Sequence, residues 1–226
     1  METKIKICGL RRPEDIAYVN EFSPDYIGFI FFKKSKSYVS KENAKNLKKL
    51  LNSKIKAVGV FVNEDADEIL SLCKEEIIDI IQLHGEENAE YINLLKVKLK
   101  QCGLEQKISI IKAFRVKGNQ EIRAAIKMQS QVDYLLLDAY GKEAYGGTGE
   151  SFRHELIPKD MPPYFLAGGI DEDNVAEIIR TMHPFAVDLS SGVETEGFKD
   201  KEKRNGQSSS LTIKCSMSLS IMSVNS

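Results

Sequence analysis

Short apolar runs of strand length alternate with helix-like patterns along nearly the whole chain, and nothing else constrains the fold as strongly. The runs fall at residues 5–8, 26–32, 55–62, 77–83, 108–114, 134–137, 164–167 and 185–189. Continuous apolar, β-branched runs suit strands buried on both faces, as in a parallel sheet whose crossovers are helices. Helix signals stand between them. Pro13 with Glu14 and Asp15 marks a first turn, Ser40 opens a second helix, and Asn63 is the expected cap of a third that carries Ile69, Leu70 and Cys73. Further helices are expected through Tyr91 and Leu95, near 120–128, and over 173–182. Eight such periods in 226 residues predict one closed (β/α)8 (TIM) barrel rather than an open sheet.

Bulk properties remove whole classes of function. A net charge of −1 with both signs interspersed leaves no basic footprint for nucleic acid or an anionic membrane. No apolar run reaches the length of a membrane span, and the first residues lack the apolar core of a signal peptide, so a cytoplasmic protein is expected. Cys8, Cys73, Cys102 and Cys215 are scattered, without a C-x-x-C pair or close histidines, which predicts neither disulfides nor a metal site.

In such a barrel the chemistry belongs at the C-terminal ends of the strands. Two consecutive ends, Gly168-Gly169 and Ser190-Ser191-Gly192, offer small residues, hydroxyls and open backbone N–H groups, a pattern that cradles a phosphate. Two other ends carry proton-transfer groups. Cys8 is followed by a glycine that leaves room for substrate, and Asp138 closes the apolar run Leu135-Leu136-Leu137, where partial desolvation suits a general acid. Each has a plainer reading: a cysteine as a small buried apolar residue, an aspartate as a helix cap, glycines as turn formers.

Six motifs, in order over residues 4–200, resemble the phosphoribosylanthranilate isomerases of tryptophan biosynthesis. They are Lys6-Ile7-Cys8-Gly9-Leu10; Gly59-Val60-Phe61-Val62-Asn63; Gln82-Leu83-His84-Gly85; Asp138 with Tyr145-Gly146-Gly147-Thr148-Gly149; Ala167-Gly168-Gly169-Ile170 with Asn174; and Asp188-Leu189-Ser190-Ser191-Gly192-Val193-Glu194-Thr195. The resemblance implies an Amadori rearrangement of N-(5-phosphoribosyl)anthranilate, with Asp138 protonating the ring oxygen and Cys8 removing the C2 proton. It implies a phosphate grip of Gly168, Gly169, Ser190, Ser191 and Gly192, and a loop containing Gly147 that folds over the sugar. His84 lines the pocket in a structural or substrate-facing role. No cofactor is implied. The expected partner is a small phosphorylated substrate, bound by a monomer or homodimer.

Two departures qualify the match. Ser37 stands where the family carries a substrate-binding arginine; losing a charge-assisted bond costs about 1.5–3 kcal/mol, which Lys36 offsets in part as a point charge. Residues 205–226 are rich in serine, with period-two alternation over 216–220, where the family continues into an eighth helix. The expected organisation is therefore a barrel over 1–204 and an atypical tail over 205–226, with that helix absent or replaced. Its absence would cost roughly 5–10 kcal/mol of apolar burial. The alternatives are a degraded, non-catalytic barrel that binds a phosphate ligand, or another phosphosugar enzyme. An epimerase would want paired carboxylates and histidines at the strand ends; indole-glycerol-phosphate synthase would want lysine and glutamate where Cys8 and Asn63 stand.

Overall fold

The expected alternation is present and the sheet closes. In the computed structural model, which describes residues 2–139, 157–158, 161–171 and 173–190 with the backbone of 194–195 and 198–199, eight strands run parallel around a closed barrel. They are β1 (Lys4–Cys8), β2 (Tyr26–Ile30), β3 (Lys56–Phe61), β4 (Ile80–Leu83), β5 (Ser109–Arg115), β6 (Tyr134–Asp138), β7 (Tyr164–Ala167) and β8 (Ala186–Leu189). Closure comes from β1 pairing with β8, Lys4 opposite Ala186 through Ile7 opposite Leu189. Helices α1 (Pro13–Phe22), α2 (Lys41–Leu50), α3 (Ala66–Lys74), α4 (Ala89–Gln101), α5 (Asn119–Met128) and α6 (Val175–Met182) connect them, and an antiparallel pair, β9 (Glu194–Thr195) and β10 (Phe198–Lys199), follows β8.

Local chemistry explains the helix starts. Pro13 opens α1, and Asp15 accepts hydrogen bonds from the Arg11 and Arg12 backbone N–H groups, both at 2.9 Å. Ser40 caps α2 by accepting from the Asn43 N–H, as expected. The α3 expectation needs correction: its cap is Asp65, which accepts from the Asp67 N–H at 2.8 Å. Asn63 instead sits at φ 52, and its side-chain oxygen accepts from the Glu86 N–H, so it serves the rim of the barrel. Four strands are shorter than their apolar runs, β3 and β8 only by end residues. β2 stops at Ile30, and β4 starts at Ile80 because Ile77 and Ile78 belong to the buried turn that closes α3 through Glu76 at φ 55.

Strand periodicity divides the core into two shells. Odd positions of β1 and β8, such as Ile7, Val187 and Leu189, face the helices, together with Phe29, Phe61, Leu135 and Leu166. The opposite set fills the interior: Val58, Ile80, Ile111, Leu136, Phe165 and Ala186, floored by Tyr26, Tyr134 and Phe185. Phe165 stands edge-on to Tyr26 and Tyr134 with ring centres 5.4 and 5.6 Å apart, so the floor is packed and the barrel opens only at the strands' C-terminal ends. Among the described residues no helix is long and apolar enough to cross a membrane. The expectations for an eighth helix and for residues 205–226 lie outside the described residues.

Candidate active site

The inward-facing positions nearest the strand ends surround a cavity of about 520 Å³. Cys8 enters it from β1, His84 from just beyond β4, Arg115 from β5, Asp138 from β6, Gly168 and Gly169 from beyond β7, and Ser190 from beyond β8. Of the residues singled out from sequence, Cys8, His84, Asp138, Gly168, Gly169 and Ser190 therefore share one pocket. Lys36 lies exposed on the β2–α2 loop, whose contribution to the lining is Ser35. Ser191, Gly192 and Gly147 lie outside the described residues.

Cys8 is held tightly. Its strand neighbour is Gly28, where an added Cβ would lie 2.6 Å from Cys8 Sγ and 3.1 Å from its Cα. A glycine inside a strand often marks such a close approach. Gly9 turns the chain away at φ 90, with Ser37 packed over it, and the Gly9 and Leu10 N–H groups both donate to the Gly28 carbonyl. Two positions below the cavity mouth on β1, Lys6 is wholly buried with its Nζ 2.7 Å from Asp188 Oδ2 on β8. Burial opposes the charge on Lys6, but Asp188 and Cys8 outweigh it and hold the ammonium above its ordinary pKa.

Three strands away around the barrel, Asp138 is oriented by a short relay. Gln82 Nε2 donates to His84 Nδ1 at 3.0 Å, which turns His84 Nε2 toward Asp138 Oδ2 at 3.3 Å. The rim beneath His84 is fastened by Glu87. This buried carboxylate accepts from the Asn63 N–H at 2.7 Å, the Gly85 N–H at 2.9 Å and Lys112 Nζ at 2.8 Å, tying the ends of β3, β4 and β5 together. Burial works against its charge, yet Lys112 and the backbone N–H groups of Asn63 and of Glu87 itself hold its carboxyl below the ordinary value.

At the β7–β8 side, Gly168 and Gly169 adopt φ 91 and 65, a left-handed pair that bares the backbone toward the cavity. Asn174 fastens this turn by donating from Nδ2 to the Gly169 carbonyl at 2.8 Å. Two strands from β7, at the end of β5, Arg115 is among the described residues the one Lys or Arg lining the cavity, and among them its guanidinium has no hydrogen-bond or ion-pair partner. Around the rim the site therefore offers a cation at β5, a carboxyl at β6, an anion cradle after β7 and β8, and a thiol at β1. Such a set transfers protons within a doubly anionic ligand.

Lys6, Gly28, Gln82, Glu87, Arg115 and Asp188 were not selected from the sequence as site residues. The signal that finds four of them is parity: Lys6 lies two residues before Cys8, Gln82 two before His84, Asp188 two before Ser190, and Arg115 two after inward-facing Ala113.

The family model described as N-(5'phosphoribosyl)anthranilate (PRA) isomerase matches residues 5–205. An N-(5'-phosphoribosyl)anthranilate isomerase of Endomicrobium trichonymphae is 44% identical over 200 residues, covering 88% of this chain and 94% of its own. The crystal structure of phosphoribosyl anthranilate isomerase from Thermotoga maritima superposes with a TM-score of 0.78 at 32% identity, covering 98% of this chain and 99% of its own. A phosphoribosyl anthranilate isomerase in complex with reduced 1-(o-carboxyphenylamino)-1-deoxyribulose 5-phosphate superposes at 0.73 with 29% identity, covering 98% and 99%.

Proposed function

The chain belongs to the N-(5'-phosphoribosyl)anthranilate isomerase family, and from that premise we propose that it isomerises this substrate with Asp138 as general acid and Cys8 as general base. One observation carries the assignment: the thiol of β1 and the carboxyl of β6 enter the same cavity from separate strands, with the Gly168-Gly169 cradle and Ser190 beside them.

The geometry supports this course. The substrate's phosphate sits against Gly168, Gly169 and Ser190, with Ser191 and Gly192 completing the grip and the loop of Gly147 folding over the sugar. Protonated Asp138 gives its proton to the furanose oxygen, the C1–O bond breaks, and the anilino nitrogen's lone pair forms an iminium at C1. The Cys8 thiolate removes the C2 proton, and the electron pair moves to the iminium, leaving an enolamine. Protonation at C1 and loss of the C2 hydroxyl proton give the 1-amino-1-deoxyketose. The iminium is the electron sink, so the rearrangement proceeds without a cofactor. His84, backed by Gln82, orients the Asp138 carboxyl. The substrate's second anion, the anthranilate carboxylate, is met by Arg115, with Lys36 adding charge from the neighbouring loop.

The enzyme acts in the cytoplasm, as a monomer or homodimer, on a small phosphorylated substrate and without nucleic acid or membrane partners. We divide the chain into an isomerase-like region over 1–204 and a tail over 205–226, a reading supported by a family match that ends at 205. The test is loss of anthranilate fluorescence from freshly made substrate, comparing the native chain with Cys8→Ser and Asp138→Asn. Turnover by the native chain that falls by about a hundredfold or more in each folded variant supports the pair. A folded native chain that binds the substrate without turning it over would overturn it in favour of a binding barrel.

A further inference from the structure

The buried pair beneath Cys8 has no structural task that an apolar pair would not do as well. Lys6 and Asp188 both lie inside the barrel, 0% and 7% exposed at their side chains, with Nζ and Oδ2 at 2.7 Å. Well-packed apolar residues in place of such a pair are often neutral or stabilising. Asp188 ties down nothing else: Oδ1, its other oxygen, is buried with no hydrogen-bond partner. The carboxylate serves Lys6, and Lys6 shares its face of β1 with Cys8, two residues on, which also favours the charged ammonium. Period two on β1 sets this arrangement, since residues 6 and 8 point to the same face.

A thiol is a weak base, and the thiolate is the species that can take a proton from carbon. An ammonium held close to a sulfur favours that form, more so where water is excluded. Other charged or titratable groups facing the cavity are Asp138 on β6, His84 beyond β4 and Arg115 at the end of β5. Lys6 differs from these in lying beneath Cys8 on the same strand, fully buried and outside the lining of the cavity. We propose that Lys6, locked in its charged form by Asp188, is the positioning residue that keeps Cys8 as a thiolate. The proposal rests on reading Cys8 as the catalytic base.

The test measures thiol chemistry apart from turnover. The full chain is alkylated with iodoacetamide from about pH 5 to about pH 10, and modification of each cysteine is read by mass spectrometry. In Lys6→Met the Cys8 midpoint should rise by about one unit or more, with Cys102 unchanged as internal control. Lys6→Arg should restore most of the native midpoint, and Asp188→Asn should fall between. The kcat profile should shift alkaline in step, with KM little changed. If Lys6→Met does not fold, Lys6→Met/Asp188→Leu removes both charges and should show the same shift. An unchanged Cys8 midpoint in a folded Lys6 variant overturns the proposal. Failure of the underlying reading looks different: Cys8→Ser would retain turnover while the alkylation shift persisted.

Discussion

Adding one methyl group at Gly28 should disable the site while leaving the barrel standing. In Gly28→Ala the new Cβ falls 2.6 Å from Cys8 Sγ and 3.1 Å from Cys8 Cα, against an ordinary contact of about 3.5–4.0 Å. The strands cannot part to make room, because Cys8 and Gly28 are paired partners in the β1–β2 ladder. The thiol must therefore move by roughly 1 Å, and displacement on that scale costs on the order of a hundredfold in rate. Overpacking should cost about 1–3 kcal/mol, and each kcal/mol lowers Tm by about 2–4 °C in a chain of this size. Gly59→Ala is the matched control: its Cβ would crowd Phe61 and Ile78 at 2.8 and 2.9 Å on the helix-facing side, far from the cavity. The assay is kcat from anthranilate fluorescence beside thermal unfolding by circular dichroism. Gly28→Ala should lose activity out of proportion to its loss of Tm, whereas Gly59→Ala should lose Tm alone. A Gly28→Ala enzyme with kcat within about threefold of the native chain would refute the argument that this contact positions the base.

Further outcomes follow from the same geometry. Glu87→Leu leaves the Lys112 ammonium buried without its carboxylate and should cost about 3–5 kcal/mol in urea unfolding, while Glu87→Leu/Lys112→Met should recover much of that loss. Because the folded state holds the Glu87 carboxyl below the ordinary 4.5, its contribution is present above that pH and is lost as pH falls through the folded value. The acid limb of the stability curve should therefore flatten in Glu87→Gln, as read by unfolding at stepped pH. Arg115→Met should lower kcat/KM by roughly tenfold to a hundredfold, chiefly through KM, with inhibition by inorganic phosphate unchanged. Arg115→Lys should recover part of it.

Much of this was legible because strand ends announce themselves. Cys8 and Asp138 each close an apolar run, and Gly168 and Gly169 sit where φ near 91 and 65 admits little else. What escaped was set by packing across strands. Lys6 reads in sequence as one of several lysines near the start, and only barrel closure against β8 brings it to Asp188. Asn63 and Asp65 are both good caps two residues apart; the choice fell to Asp65 because Asn63 is taken by the Glu86 N–H across the rim. Ile77 and Ile78 continue the apolar run of β4, and no local signal separates a buried turn from the strand that follows it. Arg115 stands at a strand end in sequence, but its place opposite Asp138 follows only from the β5–β6 register.

The division of labour between β6 and β1 is tested most directly by isotope effects with substrate deuterated at C2 of the ribosyl group. Under single-turnover conditions, Cys8→Ser should make C2–H cleavage limiting and show a large primary effect. Asp138→Asn should make ring opening limiting and bring the effect close to unity. The same isotope effect in both variants would contradict the assignment of acid to Asp138 and base to Cys8.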